Sequence, residues 1–236
     1  MSIKAIIFDV DGVIFDSEKI HVEAWHRVFG KRGITLGADV YAAGIGVEDR
    51  IFLMALQKKG TVPMALSTDV LIEEKVSALM DIAEHGASFL PGMKRFLHAL
   101  SKRYALGAAS NSYTGLVMRM LEKGGVDSLF TCILTRENVK NPKPAPDIYL
   151  SCAARLGVEP DQCCVVEDSP VGIKAAKAAG MKCAAVPFTL PPEALGEADT
   201  ILWKPSVRLL TEFLNSAGSA RRKGQGRIPP AALPRK

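Results

Sequence analysis

The chain has 236 residues and is 48% hydrophobic, enough for one sizeable core with a smaller inserted domain and no need of a disulfide framework. Its formal charge of +5 is concentrated at one end, where residues 216 to 236 carry Arg221, Arg222, Lys223, Arg227, Arg235 and Lys236 and no acid. The body is therefore nearly neutral and lacks the broad basic face that nucleic acid requires, and no apolar stretch is long enough to span a bilayer.

The first segment, Ile3 to Phe8, is a short apolar run of strand type that leads into Asp9-Val10-Asp11-Gly12-Val13. Met1-Ser2-Ile3-Lys4 has no leader-like character, and the five cysteines are odd in number and lack metal-ligand spacing. A reducing, cytoplasmic setting is expected, with neither membrane nor nucleic-acid partner, and a monomer or weak dimer.

The next stretch is helical: Ser17 to Arg32, with Ser17 as an N-cap and Ile20, Ala24, Trp25, Val28 and Phe29 as its apolar stripe, then Glu48 to Lys59 and Ser67 to Glu84. Pro91-Gly92 marks a return to strand and helix in alternation. Strands are read at Tyr104 to Ala109, Phe130 to Leu134, Cys163 to Val166, Cys183 to Val186 and Thr200 to Trp203. Helices are read at Thr114 to Lys123, stopped by Gly124-Gly125, at Pro146 to Leu156, stopped by Gly157, and at Val171 to Ala179, stopped by Gly180. This pattern predicts an α/β fold, a Rossmann-like parallel sheet core with an inserted all-helical cap. The division expected is residues 1–15 and 90–215 for the core, 16–89 for the cap, and 216–236 for a disordered basic tail. An insertion directly after the first strand should lie over the carboxyl ends of the strands, where open α/β sheets bind ligands.

Chemistry-bearing residues follow the same strand ends: Asp9 and Asp11, then Ser110-Asn111-Ser112, then Lys143 within Asn141-Pro142-Lys143-Pro144-Ala145-Pro146-Asp147, then Glu167-Asp168-Ser169. Each has an ordinary explanation. Asp-x-Asp-Gly can satisfy its own turn, Ser110, Ser112 or Asp168 can cap a helix, and Lys143 can be a solvated charge. Jointly, and in order along one sheet edge, they supply a carboxylate nucleophile, a second carboxylate, a hydroxyl donor, an ammonium and a metal-binding acid.

On these four motifs, and on Asp16-Ser17-Glu18-Lys19-Ile20-His21-Val22-Glu23-Ala24-Trp25, the chain resembles the haloacid dehalogenase superfamily from about Ile3 to Leu214, in the branch of beta-phosphoglucomutase-like and phosphoglycolate phosphatase-like proteins. The resemblance implies a Mg²⁺-dependent phosphatase acting on a small phosphomonoester, such as a sugar phosphate, through an aspartyl-phosphate. It implies Asp9 as nucleophile, Asp11 as acid and base, and Ser110 and Lys143 as phosphate partners, with Asp9, Asp11 and Asp168 on the metal and Glu167 as a further candidate ligand. Asn111 is expected on the substrate. His21 is either a cap residue that meets Asp11 or a helix-face histidine packed near Trp25.

Two positions depart from the mutase pattern. Val47 stands before Glu48-Asp49, where the mutases have an arginine, and the cap lysine expected before the return to the core falls near Leu79. Arg50, Lys58, Lys59 or Lys75 could replace these cations. Phosphatase is therefore preferred to hexose phosphate mutase, since a mutase must grip both ends of a bisphosphate. A dehalogenase would need neither Asp11 nor Asp168. A non-catalytic binding protein of the same fold would not need the costly acidic cluster. Specificity is expected in cap loops such as Tyr41 to Gly46.

Overall fold

The computed structural model describes residues 2–42, 44, 47 and 49–216. Six strands form one wholly parallel sheet: β1 (Ala5–Phe8), β2 (Ala105–Ala109), β3 (Cys132–Leu134), β4 (Cys163–Glu167), β5 (Lys182–Ala185) and β6 (Thr200–Ile201). Their order is β3-β2-β1-β4-β5-β6. β1 is the central strand, pairing Phe8 with Ala108 of β2 and with Val166 of β4. The chain winds outward from it in both directions, so the switch point of the sheet lies at the carboxyl end of β1, the place where such sheets hold ligands.

All four residues of β1 are buried because both faces of the sheet are covered, which explains why the strand reads as a continuous apolar run. Its side chains still alternate. Ile6 and Phe8 pack into a core with α5 (Met93–Leu100), α6 (Thr114–Gly124) and α9 (Val207–Ser216). Ala5 and Ile7 face the opposite core with α7 (Asp147–Leu156) and α8 (Pro170–Ala178).

Between β1 and α5 the chain forms α1 (Glu18–Gly30), α2 (Ala38–Ala42), α3 (Asp49–Lys58) and α4 (Thr68–Ala83). These helices enclose a third cluster of their own, built on Trp25, Phe29, Tyr41, Phe52, Leu53 and Leu71. Trp25 stacks on Phe29 with ring centroids 5.1 Å apart. The outgoing and returning chains cross side by side: the Asp16 amide donates to the Ser88 carbonyl, the Leu90 amide to the Ile14 carbonyl, and Phe15 bridges to Phe89.

Element ends lie within two residues of the sequence reading, and α2, α5 and α9 are additional. Buried positions at helical spacing, Met93, Phe96, Leu97 and Leu100 in α5 and Leu210 and Leu214 in α9, mark both as amphipathic, so both were open to a sequence reading. Ser17 does not cap α1: its backbone is already helical (φ −84°, ψ −13°) and its side chain makes no cap bond. Ser216 closes α9. The rest of the expected tail, 217–236, lies outside the described residues, as do Glu48 and residues 43, 45 and 46 of the cap loop.

Candidate active site

β1 ends at Phe8, and the backbone then turns sharply while still tied to the sheet. The Asp9 amide donates to the Val166 carbonyl, and the amides of Ile14 and Phe15 return to the Val10 carbonyl. Gly12 has φ 70°, and a Cβ there would stand 1.9 Å from Asp168 Oδ2. The turn therefore needs glycine both for its conformation and for the approach of Asp168. One oxygen of Asp11, Oδ2, accepts from Ser110 Oγ at 2.9 Å and from Ser112 Oγ at 2.7 Å, while the Ser112 amide donates to Ser110 Oγ. The other, Oδ1, is buried with no partner among the described residues. The two serines thus aim the second carboxylate instead of capping α6.

Lys143 is buried, 7% exposed, and its ammonium donates to Asp9 Oδ1 at 2.6 Å and to Glu167 Oε1 at 2.7 Å. It also lies 4.8 Å from the centre of the Tyr149 ring. Burial works against the ammonium, but Asp9 and Glu167 outweigh it and hold its pKa above the usual lysine range. Asn111, expected on the substrate, has both ends of its amide on the Lys143 backbone: Nδ2 donates to the carbonyl at 3.1 Å and Oδ1 accepts from the amide at 3.0 Å. It ties the lysine loop to the end of β2.

Glu167 is fully buried, and its carboxylate accepts five hydrogen bonds. Oε1 takes Lys143 and the Tyr149 hydroxyl at 2.8 Å, while Oε2 takes the amides of Asp168 and Ser169 and the Ser169 hydroxyl. Burial alone would raise its pKa, but Lys143, Tyr149 and Ser169 bring it below the ordinary glutamate value. A Cβ on Gly172 would stand 1.6 Å from Oε1, so the first turn of α8 needs glycine to admit this carboxylate. Ser169, not Asp168, caps α8, accepting from the Gly172 amide.

Asp9, Glu167 and Asp168 can each bring one oxygen within 4.8 Å of the others, a geometry that could hold a cation. The hydrogen bonding divides the set. A carboxylate has about four lone-pair positions, and five donors already reach that of Glu167, whereas the Asp9 carboxylate takes Lys143. Asp9 and Asp168 are different. Burial first, then the repulsion of neighbouring acids, raises Asp9 well above the usual range and Asp168 to about 7, with Lys143 opposing both. Two buried acids that strain toward protonation, beside an unpartnered Asp11 oxygen, fit a hard divalent cation with oxygen ligands.

The cap meets this edge at the first turn of α1, which carries Glu18 and His21. Burial lowers the His21 pKa, Lys75 pushes it the same way, and the fields of Asp11 and Asp49 oppose. Lys75, on α4, is buried at 2% exposure, ion-paired to Asp49, and 4.9 Å from the Trp25 ring centre. Lys75, one of the four cations named as possible replacements, thus lies one turn before Leu79 and is buried, and Leu79 belongs to the core. Spacing alone left four candidates open because only the packing of α4 on α1 reveals which face of α4 is buried. Arg50 is exposed and pairs with Asp69 at 2.5 Å, and Lys58 and Lys59 are exposed.

The structure therefore brings together Asp9, Asp11, Ser110, Lys143, Glu167 and Asp168, with Asn111 behind Lys143 and His21 in the first turn of α1 within the field of Asp11. It adds Ser112 as a direct partner of Asp11, and Tyr149 on α7, which the sequence analysis did not single out. Its one signal was chemical, since a buried tyrosine needs a partner for its hydroxyl.

The fold and this acidic, lysine-bridged strand end define a doubly wound α/β hydrolase with a helical cap. The model of the haloacid dehalogenase-like hydrolases matches residues 6–186. The chain is 32% identical over 176 residues to a fructose-1-phosphate phosphatase of Escherichia coli (strain K12), covering 75% of this chain and 92% of that one. It is also 32% identical over 184 residues to a phosphorylated carbohydrates phosphatase of Thermotoga maritima, covering 76% and 82%. A crystal structure of beta-phosphoglucomutase from Clostridium difficile superposes with a TM-score of 0.77 at 26% identity, covering 92% of this chain and 99% of that one. The chain belongs to the haloacid dehalogenase-like hydrolases and is a phosphomonoester hydrolase of that superfamily.

Proposed function

We propose that the chain is a Mg²⁺-dependent phosphatase of small phosphorylated carbohydrates that works through a phosphoryl group carried on Asp9. The observation that carries this reading is the Lys143 ammonium between Asp9 and Glu167, beside an Asp11 held through one oxygen by two serines. With Oδ1 of Asp9 on Lys143, Oδ2 is the oxygen that attacks phosphorus. Lys143 and the Ser110 hydroxyl offset charge on the transferring phosphoryl group. The unpartnered Oδ1 of Asp11 delivers a proton to the leaving oxygen, which departs as an alcohol. The same oxygen then takes a proton from water as that water attacks the phosphorus of the aspartyl-phosphate, which regenerates Asp9 and releases inorganic phosphate.

Asp9 and Asp168, with the main-chain carbonyl of Asp11, would hold the metal. When bound, Mg²⁺ supplies positive charge that keeps both acids ionised and draws the phosphate toward the nucleophile. Glu167 acts behind them, fixing Lys143. The relatives named as phosphatases of fructose 1-phosphate and of phosphorylated carbohydrates support the substrate class.

The test is phosphate release from a panel of sugar and polyol monophosphates, phosphoglycolate and nucleotides, with and without Mg²⁺. Metal-dependent release from the carbohydrate phosphates is expected, and a panel without any turnover would overturn the reading. Mutase activity remains the second reading because Lys75 supplies a buried cap cation and the mutase fold superposes closely. Faster conversion of beta-glucose 1-phosphate to glucose 6-phosphate than to free phosphate, with a bisphosphate primer present, would reverse the ranking.

A further inference from the structure

We infer that Thr189 is a positioning residue of the metal site: its hydroxyl holds a water of the cation's shell beside Asp168 and so sets the affinity for Mg²⁺. The inference rests on the Mg²⁺-dependent phosphatase reading and deepens it.

Thr189 is brought to the site by the chain that leaves β5, Val186-Pro187-Phe188-Thr189-Leu190. The Val186 amide donates to the Glu167 carbonyl at 2.8 Å, and the Phe188 amide donates back to the Val186 carbonyl at 3.0 Å. The fixed φ of Pro187 suits this three-residue turn. Val186 packs in the core on one face of the sheet, and Leu190 packs against the core on the other. With both of these residues held, the segment between them leaves Phe188 exposed and brings the Thr189 side chain in over Gly12.

A Cβ on Gly12 would meet Asp168 Oδ2 at 1.9 Å and Thr189 Oγ1 at 2.6 Å, so the carboxylate oxygen and the hydroxyl close on the same point above the catalytic turn. Thr189 Oγ1 is buried, yet it has no hydrogen-bond partner among the described residues. Burying a hydroxyl in that way is costly and uncommon. Three buried side-chain polar atoms lack a partner among the described residues, and two of them are Thr189 Oγ1, over Gly12, and Asp11 Oδ1, on the residue before it. The third, Thr211 Oγ1, is on α9. Two orphaned polar atoms on residues that meet at one turn mark it as the place where a further polar group completes the site.

Mg²⁺ keeps several of its waters when it binds protein carboxylates, and the protons of those waters need acceptors. Thr189 can accept one such proton and donate its own to Asp168, which orients both the water and the acid. Valine has nearly the same shape and can do neither, whereas serine keeps the hydroxyl.

The experiment measures Mg²⁺ binding to the substrate-free protein by isothermal titration calorimetry, with thermal melting of the metal-free and Mg²⁺-loaded forms, for wild type, Thr189→Val and Thr189→Ser. Thr189→Val should weaken Mg²⁺ binding by about ten- to a hundredfold, and Thr189→Ser by far less. The hydroxyl has no partner to lose in the metal-free protein, so Thr189→Val should leave the metal-free Tm unchanged or raised while cutting the rise that Mg²⁺ produces. In phosphate release, the Mg²⁺ concentration giving half the maximal rate should climb by the same factor, with kcat at saturating Mg²⁺ changed much less. Unchanged Mg²⁺ affinity in Thr189→Val, equal weakening in Thr189→Ser, or a lowered metal-free Tm in Thr189→Val, as a merely structural hydroxyl would give, would overturn the inference while leaving the phosphatase reading intact. A wild-type protein that binds no Mg²⁺ would instead overturn the metal-dependent reading, and this inference with it.

Discussion

The crevice at the end of β1 and the face of the cap above it are both buried and charged, yet they are built differently. In the crevice the charged groups are cross-bonded: Glu167 accepts five hydrogen bonds, Lys143 bridges two carboxylates, and Asn111 holds the lysine loop from behind. In the cap, Lys75 has one ion pair and one ring, and Glu18 and His21 are placed by helix position. A densely cross-bonded crevice keeps reacting groups within fractions of an ångström, which the chemistry demands. A sparsely bonded cap can change single residues without disturbing that geometry, so it is the part of the molecule where substrate preference can vary.

The comparison is broken most severely in the crevice. Asp9→Asn removes the nucleophile at almost constant volume, so turnover should fall to background, by about a million-fold, while circular dichroism and thermal melting show an intact fold. Asp11→Asn should cost roughly two to four orders of magnitude, most with poor leaving groups. A variant at either position that kept most of its rate would remove the residue from the mechanism.

Metal linkage is the next effect in size. Folding raises the Asp168 pKa to about 7, and Asp9 moves in the same direction. Between the unfolded carboxylate value near ~4 and the raised folded value, the folded protein binds more protons than the unfolded chain. Stability of the metal-free protein from these groups is therefore fully present at low pH and is lost as pH rises toward and through 7. Bound Mg²⁺ favours the ionised acids and reverses that trend, so the rise in Tm on adding Mg²⁺ should be several degrees at pH 8 and much smaller at pH 5. Equal rises at the two pH values would show that Asp9 and Asp168 are not the ligands.

The smallest effect sharpens the contrast between the two regions. Tyr149→Phe keeps the ring beneath Lys143 and removes only the hydroxyl on Glu167 Oε1. The loss should be about 1.5 to 3 kcal/mol of stability, with a modest fall in kcat as Lys143 is drawn toward Glu167, and little change in relative rates across a substrate panel. A reordered panel would mean that the crevice, and not the cap alone, sets selectivity.

The motifs were legible because each consists of adjacent residues at the end of a strand, so a local pattern carries both the chemistry and its placement. Asp9, Asp11, Ser110, Lys143, Glu167 and Asp168 could all be named in this way, and so could the insertion after β1, since a break in strand and helix alternation is a local event. The roles of Asn111 and Glu167 could not be read, because the availability of an amide or carboxylate depends on how many distant donors reach it. Tyr149 went unnamed, and Lys75 stayed one of four candidate cations, for a related reason: each lies on a helix, and the face it presents is decided by what packs against that helix.

The sequence by itself determined the layered α/β class, the inserted helical segment and the identity of the acids at the sheet edge, because strand and helix periods and turn residues act over a few neighbouring positions. Only the tertiary structure decided that Glu167 is saturated by five donors, that Lys75 is buried against Asp49, and that Asp9 and Asp168 are pushed toward protonation. Burial, field and hydrogen-bond count are sums over residues far apart in the chain, and they take values only when the sheet, its helices and the cap are assembled.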